Sequence, residues 1–301
     1  MVKHCLSLAD LGAGALEAIL EEAVRLKKER LELSHRRSLK GRSVAVVLEK
    51  PSTRTRLSFE VGIQELGAQP VVVMAEHSQL GRGETLEDTA RMLSRFVHAV
   101  VCRTSAHQRL ETLAAHASIP VINGLSDSFH PCQVLADLQT VRENFQTPWS
   151  ELNIAWIGDG NNMARSWVVA AGLLGFKLTV ASPSGFALDA AWAAKTGRGH
   201  VALVEAPEAA VAGAHVVTTD VWTSMGQEAE TAARLAAFSG FEVNDALMAQ
   251  ADKSSIFLHC LPAHRGEEVS SAVIDGPRSR VWDEAENRLH AQKALLLYLM
   301  R

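Results

Sequence analysis

Five short clusters in this chain carry side chains suited to chemistry, and each suggests a different task. Ser52, Thr53, Arg54, Thr55 and Arg56 bring three hydroxyls and two guanidiniums into five residues directly after an apolar run. At a helix N-terminus such a set can grip an anion, with main-chain N–H groups and hydroxyls donating and guanidiniums holding phosphate oxygens through paired bonds; a capped helix with solvated arginines is the plain alternative. The run is not a Walker loop, because no G-x-x-x-x-G-K-[ST] occurs, so a nucleoside triphosphate is not its natural ligand. His130, Pro131, Cys132 and Gln133 offer an imidazole and a carboxamide that can donate to a carbonyl oxygen, an oxyanion-type arrangement. Pro131 fits the first turn of a helix whether or not the cluster binds anything.

The remaining three clusters lie in the second half. Gly158–Trp167 (GDGNNMARSW) departs from the dinucleotide pattern G-x-G-x-x-G at its third glycine, where Met163 stands, and no acidic residue closes the following strand. A nicotinamide cofactor is therefore not expected, and Asn161 and Asn162 suit recognition of a carboxylate or an amine. Asp220–Gly226 (DVWTSMG) joins a carboxylate able to pair with an ammonium to a hydroxyl and a flexible glycine; a helix cap is the plain alternative. His259–Val269 (HCLPAHRGEEV) puts Cys260 at a strand end, where a thiol is inert filler or a partner for a substrate amine. The spacing of His259, Cys260 and His264 matches no structural zinc pattern, so no metal is expected there.

These clusters need a scaffold, and the apolar patterning supplies one. Buried strands are expected at Ser43–Glu49, Pro70–Ala75, Val97–Arg103 and Ile119–Gly124, with helices at Ser52–Leu66, Glu84–Phe96 and Gln108–Ala117 between them. Ser52 is placed as an N-cap and Gly67 as a stop, with Leu57 and Val61, and Phe59 and Ile63, at i,i+4 spacing. A second strand series follows at Asn153–Gly160, Lys177–Ser182, His200–Glu205, His215–Asp220 and Ser255–Cys260. A helix over Cys132–Phe145 bridges the halves, and the amphipathic end of the chain, with acidic residues at its start, is expected to pack across the molecule. Alternating strands and helices imply parallel sheets covered on both faces, with ligands bound beyond the carboxyl ends of the strands. Ser52–Arg56, Arg103, Asp159–Asn162, Asp220–Gly226 and His259–Pro262 fall at such ends and are expected to converge on one edge.

Composition sets the bounds. At 301 residues the chain holds one large or two ordinary domains, at roughly 150 residues per domain. A hydrophobic content of 47% and a charged content of 21% suit a globular protein. A net charge of -4 gives no general attraction to nucleic acid or membrane, so neither is expected as a partner and any anion site must be local. Cys5, Cys102, Cys132 and Cys260 form no C-x-x-C pair, and with no signal-like start or long apolar run a reducing cytosol is the simplest location.

Taken together, STRTR, HPCQ, SMG, HCLP, the segment Gln79–Arg95 and the segment Trp282–Leu296 resemble the aspartate/ornithine carbamoyltransferase family, from about Leu6 to the C-terminus. STRTR and HPCQ are shared across that family, whereas SMG with HCLP points to its ornithine branch. The resemblance implies an α/β fold of two doubly wound parallel-sheet domains with the active site in the cleft between them. A carbamoyl phosphate-binding domain would span 1–145 and take back the helix 284–301, and an ornithine-binding domain would span 146–283. It implies that Ser52, Thr53, Arg54 and Thr55 hold the phosphate of carbamoyl phosphate, with Gln79 and Arg103 adding contacts. His130, Pro131, Cys132 and Gln133, then Cys260, Leu261 and Arg288, complete that set, and Asn162, Asp220, Ser224 and Met225 bind ornithine. Arg103, His130, Asp220 and Cys260 would carry the catalysis, giving citrulline and phosphate for arginine biosynthesis with no metal or organic cofactor. The Gln79 loop can reach a neighbouring subunit's site in this family, which implies a homotrimer or a multiple of trimers; His77 stands there in place of the more usual acidic or polar residue. The alternatives are a relative acting on another amine, such as putrescine or an N-acylated ornithine, and a non-catalytic homologue.

Overall fold

The computed structural model describes residues 2–32, 38–74, 83–223 and 230–301. The chain divides into two compact units, residues 1–139 with 286–301, and residues 140–285.

The first unit contains strands β1 (Ser43–Leu48), β2 (Gln69–Met74), β3 (Ala99–Arg103) and β4 (Val121–Leu125), with helices α1 (Ala13–Lys28), α2 (Thr53–Glu65), α3 (Leu86–Phe96) and α4 (His107–His116). The strands are parallel in the order β2-β1-β3-β4. β1 and β3 are buried almost throughout, as their unbroken Val/Ala/Leu runs require, whereas edge strand β2 is half exposed. The core beneath this sheet is built on Ala45, Val47, Val100, Leu93, Leu110 and Leu113.

The second unit contains β5 (Asn153–Ile157), β6 (Lys177–Ala181), β7 (Val201–Val204), β8 (Val216–Thr219) and β9 (Ile256–His259), parallel in the order β7-β6-β5-β8-β9. Helix α5 (Pro131–Asn144) leads into it from the first unit, and α6 (Asn162–Leu174), α7 (Ala190–Thr196), α8 (Pro207–Val211), α9 (Thr231–Ala237), α10 (Asp245–Met248) and α11 (Ser271–Ile274) follow. The final helix α12 (Val281–Met300) begins here and runs on into the first unit. Trp222 stacks on Phe238 at 5.5 Å in a core that also holds Ile157, Val217 and Phe257.

Both sheets reverse their winding at one place. The chain goes from β1 outward to β2 and then crosses to β3, and from β5 outward through β6 to β7 before crossing to β8. Loops leaving the carboxyl ends of the two strands at such a reversal diverge to opposite sides and leave a crevice. The register aligns Leu48 with Arg103 in one sheet and Ile157 with Thr219 in the other, so paired strands end level.

Three expectations change. The polar clusters divide between two sheet edges, one in each unit, rather than sharing one. Of the two apolar pairs in α2, Phe59 and Ile63 are buried, whereas Leu57 and Val61 are 55% and 37% exposed, because one face alone of this helix meets the sheet. The final helix is not amphipathic in its setting: Leu289 to Leu297 are buried on every face, His290, Gln292 and Lys293 included. Lys293 is tolerated because its ammonium meets Glu65 at 2.7 Å.

Candidate active site

The corner after β1 is assembled by a helix cap. Ser52 is extended and its hydroxyl accepts from Thr55 N–H, which starts α2 with its N–H groups facing outward. At the other end Ala68 N–H reaches Ile63 and Gly67 N–H reaches Gln64, with Gly67 at φ 82°, a conformation that glycine enters freely. Thr55 is fully buried, and its hydroxyl oxygen collects Ser52 Oγ at 3.0 Å, Arg288 Nη2 at 3.2 Å and Arg103 Nη1 at 3.4 Å. Arg103 arrives from the end of β3 and Arg288 from α12, both less than a tenth exposed.

From the N-terminus of α5, Gln133 accepts from Arg288 Nη1 at 3.0 Å and donates to Asp137 at 2.8 Å, one helical turn on. His130 is buried beside this set. Burial, then the charges of Arg288, Arg103 and Arg54, hold its imidazole well below the ordinary histidine range, so the ring is neutral at pH 7. A neutral imidazole among guanidiniums can still donate one N–H, and the cluster is strongly cationic. Cys132 points away: its thiol donates to the Asn123 carbonyl at 3.3 Å and burial pushes it up to about 12, which leaves only its main chain for any ligand. Arg56 also departs from the cluster. It lies on the solvent side of α2 in an exposed pair with Glu60 at 3.2 Å, so the anion corner holds one arginine of the STRTR motif, not two.

The second unit has its own polar edge. Asp220 follows β8; Oδ1 accepts from Val221 N–H at 2.8 Å and from the Cys260 thiol at 3.2 Å, and Oδ2 accepts from Asn161 Nδ2 at 3.1 Å. Asn161 itself caps α6, its side-chain oxygen taking the N–H groups of Met163 and Ala164. The two asparagines thus separate: Asn161 steers Asp220, and Asn162 opens the helix beside it. The GDG turn before them is shaped by backbone needs. Gly158 sits at φ 137°, and a Cβ on Gly160 would lie 2.7 Å from Leu188 N and 2.8 Å from Phe186 O.

Sequence reading did not find the residues that brace this edge. Arg234 of α9, nearly buried, donates to Asp159 at 2.8 Å and to the Trp222 carbonyl at 2.9 Å, fixing the β5 and β8 loops to each other. Burial raises the Asp159 pKa, the Arg234 pair opposes this, and the charge of Asp220 adds to it. Glu268, inside HCLPAHRGEEV, is fully buried against His259. Arg234 lies outside every motif and Glu268 lies within one without any spacing that sets it apart from the charges beside it, so neither gives a periodic signal.

Asp220, His259 and Cys260 bring one ligand atom each within 4.8 Å, the spacing a metal ion needs. Both His259 nitrogens are already engaged, Nδ1 by Leu261 N–H at 2.9 Å and Nε2 by Glu268 at 3.1 Å, so the imidazole has no lone pair to offer without breaking that arrangement. Gln79, Ser224 and Met225, with His77, lie outside the described residues.

Comparison with known proteins agrees with this layout. Residues 3–143 match the family model described as the aspartate/ornithine carbamoyltransferase carbamoyl-P binding domain, and residues 150–299 match the Asp/Orn binding domain of the same family. The chain belongs to the aspartate/ornithine carbamoyltransferase family. Within that family it is 54% identical over 307 residues to an ornithine carbamoyltransferase of Acidothermus cellulolyticus, covering 100% of this chain and 97% of the relative. It is 51% identical over 303 residues to one of Pelobacter propionicus, covering 100% and 99%. Among solved structures, the ornithine carbamoyltransferase of Pyrococcus furiosus is similar at a TM-score of 0.92 and 46% identity, covering 98% of this chain and 96% of that one. That of Thermus thermophilus matches at 0.91 and 42%, covering 100% of both. The carbamoyltransferase fold of paired parallel α/β sheets is thus shared over the whole chain.

Proposed function

We propose that the chain transfers the carbamoyl group of carbamoyl phosphate to the δ-amine of L-ornithine, giving L-citrulline and phosphate. The observation that carries this reading is the charge contrast between the two switch points. One gathers Arg54, Arg103 and Arg288 around a neutral imidazole, a setting for a phosphate ester. The other presents the Asp220 carboxylate beside Asn162 and Cys260, a setting for an ammonium-bearing amino acid.

In this reading Ser52, Thr53, Arg54 and the N–H groups opening α2 hold the phosphate, with Arg103 and Arg288. Thr55, His130 and Gln133 meet the carbamoyl oxygen and amide, and the main chain of Pro131, Cys132, Cys260 and Leu261 lines the same substrate. Asp220 pairs with the α-ammonium, and Asn162, Ser224 and Met225 hold the rest of ornithine. The neutral δ-amine attacks the carbonyl carbon; Thr55, Arg103 and His130 donate to the tetrahedral oxyanion. The carbon–oxygen bond to phosphate then breaks, the nitrogen's proton passes to the departing phosphate, and the leaving charge is already paired with arginine. Holding two small substrates together turns a bimolecular step into a local one. The SMG and HCLP motifs support a place in arginine biosynthesis, four cysteines without C-x-x-C pairing suit a reducing cytoplasm, and the Gln79 segment supports a homotrimer or a multiple of trimers with Gln79 serving a neighbouring subunit.

Asp220→Asn tests the division of labour. It keeps the size of the side chain and removes its charge, so kcat/KM for ornithine should fall roughly 100-fold while the KM for carbamoyl phosphate stays within about twofold. Loss of carbamoyl phosphate binding with ornithine use intact would overturn the assignment.

A further inference from the structure

The turn that carries Cys260 hangs from a single carboxylate. Glu268 has no solvent exposure, and its Oε1 accepts from His259 Nε2 at 3.1 Å and from His264 N–H at 2.6 Å. His259 Nδ1 accepts in turn from Leu261 N–H at 2.9 Å, so the ring's proton must sit on Nε2. One oxygen thereby fixes both limbs of the turn, the 261 side through the imidazole and the 264 side directly. The entry to the turn is fixed as well, since His259 N–H donates to Glu284 at 2.8 Å. Between these anchors stand Cys260, whose thiol donates to Asp220, and Leu261 at φ 57°, a left-handed conformation that a leucine holds only when its surroundings impose it.

Glu268 Oε2 has no hydrogen-bond partner, and His264 Nδ1 stands 3.9 Å from it. A fold that needed only an acceptor here could use a glutamine without burying a charge. The carboxylate does what an amide does not: it accepts only, so it admits one tautomer of His259. A glutamine can turn its NH2 toward the ring, which moves the ring's proton to Nδ1 and expels Leu261 N–H.

We infer that Glu268 is a positioning residue, which through the tautomer of His259 sets the Cys260–Leu261 turn against Asp220 for attack by the substrate amine. This rests on the proposed reading that Cys260 and Leu261 line carbamoyl phosphate and that Asp220 pairs with the α-ammonium of ornithine.

Three measurements test it, two without any substrate. In the wild-type protein, nitrogen-15 NMR of His259 should find the proton on Nε2. In Glu268→Gln, folded by circular dichroism, the alkylation rate of Cys260 by iodoacetamide should change severalfold; Cys5, Cys102 and Cys132 are buried, so the reagent reads Cys260. In the same variant kcat/KM for ornithine should fall roughly 10-fold or more, with the KM for carbamoyl phosphate near its wild-type value. A proton on Nδ1 in the wild type overturns the inference even if the variant fails to fold. So does an unchanged alkylation rate in a folded variant, whatever its kinetics. A wild-type chain without ornithine-dependent turnover would overturn the functional reading instead, and the NMR and alkylation results would still decide the role of Glu268.

Discussion

Replacing Arg288 by methionine separates activity from stability. Methionine fills the arginine stem but donates nothing. The change removes Arg288 Nη1 from Gln133 and Nη2 from Thr55, which keeps Ser52 Oγ at 3.0 Å and Arg103 Nη1 at 3.4 Å. Two hydrogen bonds from a charged donor are worth about 1.5–3 kcal/mol each. In the unliganded protein their loss is offset, because Arg288 shares its surroundings with Arg103, Arg54 and a histidine that these cations help keep unprotonated. Folding stability should therefore move by no more than about 1 kcal/mol. With carbamoyl phosphate present no such offset exists, and a deficit of about 3–6 kcal/mol is on the order of 10²–10⁴-fold in kcat/KM. Phosphate-induced stabilisation gives a second readout. At 100 times Kd a ligand stabilises the wild type by about 2.7 kcal/mol, and a 100-fold weaker Kd at the same concentration leaves about 0.4 kcal/mol. The assays are steady-state kinetics and thermal unfolding with and without phosphate. A folded Arg288→Met protein with kcat/KM within a few-fold of wild type and a full phosphate shift would refute the reasoning.

Two further outcomes are expected. Arg54→Ala should lower kcat/KM for carbamoyl phosphate on the order of 100-fold, whereas Arg56→Ala, which breaks an exposed i,i+4 pair, should change stability by only about 0.3–0.5 kcal/mol and leave kinetics unaltered; equal effects would contradict their separation. Burial and the nearby Lys293 hold the His290 imidazole down at about 4, so the folded state stays neutral where the unfolded chain takes up a proton. Stability should then fall as pH drops from roughly 6.5 to about 4, by at most about 1.4 kcal/mol per pH unit for this group, with His130 acting in the same direction. His290→Gln should flatten that slope in urea titrations, and an unchanged slope would contradict the prediction.

Much of this was legible because burial on both faces of a parallel strand leaves a plain trace. The runs VAVVL, AVVC and IAWI have no polar partner to alternate with, and each proved to be an inner strand. Ser52 was legible as a cap and Gly67 as a stop because capping is local chemistry. Strand order was not, since it is settled by which crossover buries more surface, and with it went the separation of the clusters onto two sheets. Arg54 and Arg56 look alike in sequence; the 3.6-residue turn alone sends one toward His130 and the other to solvent. Lys293 and Glu65 are far apart in the chain, so nothing local explained why a lysine belongs in a fully buried helix face. Arg234 was missed because its role exists only once loops from different strands meet, and Glu268 because its burial against His259 and His264 appears only once the turn after β9 has folded.

The central claim is that carbamoyl phosphate and L-ornithine are the substrates. It is tested most directly by measuring phosphate release from carbamoyl phosphate with L-ornithine, putrescine, an N-acylated ornithine or L-aspartate as acceptor, and assaying citrulline alongside. Release should require L-ornithine, with citrulline formed in equal amount. Release that proceeds better with any of the other three amines, or no acceptor-dependent release at all, would contradict it.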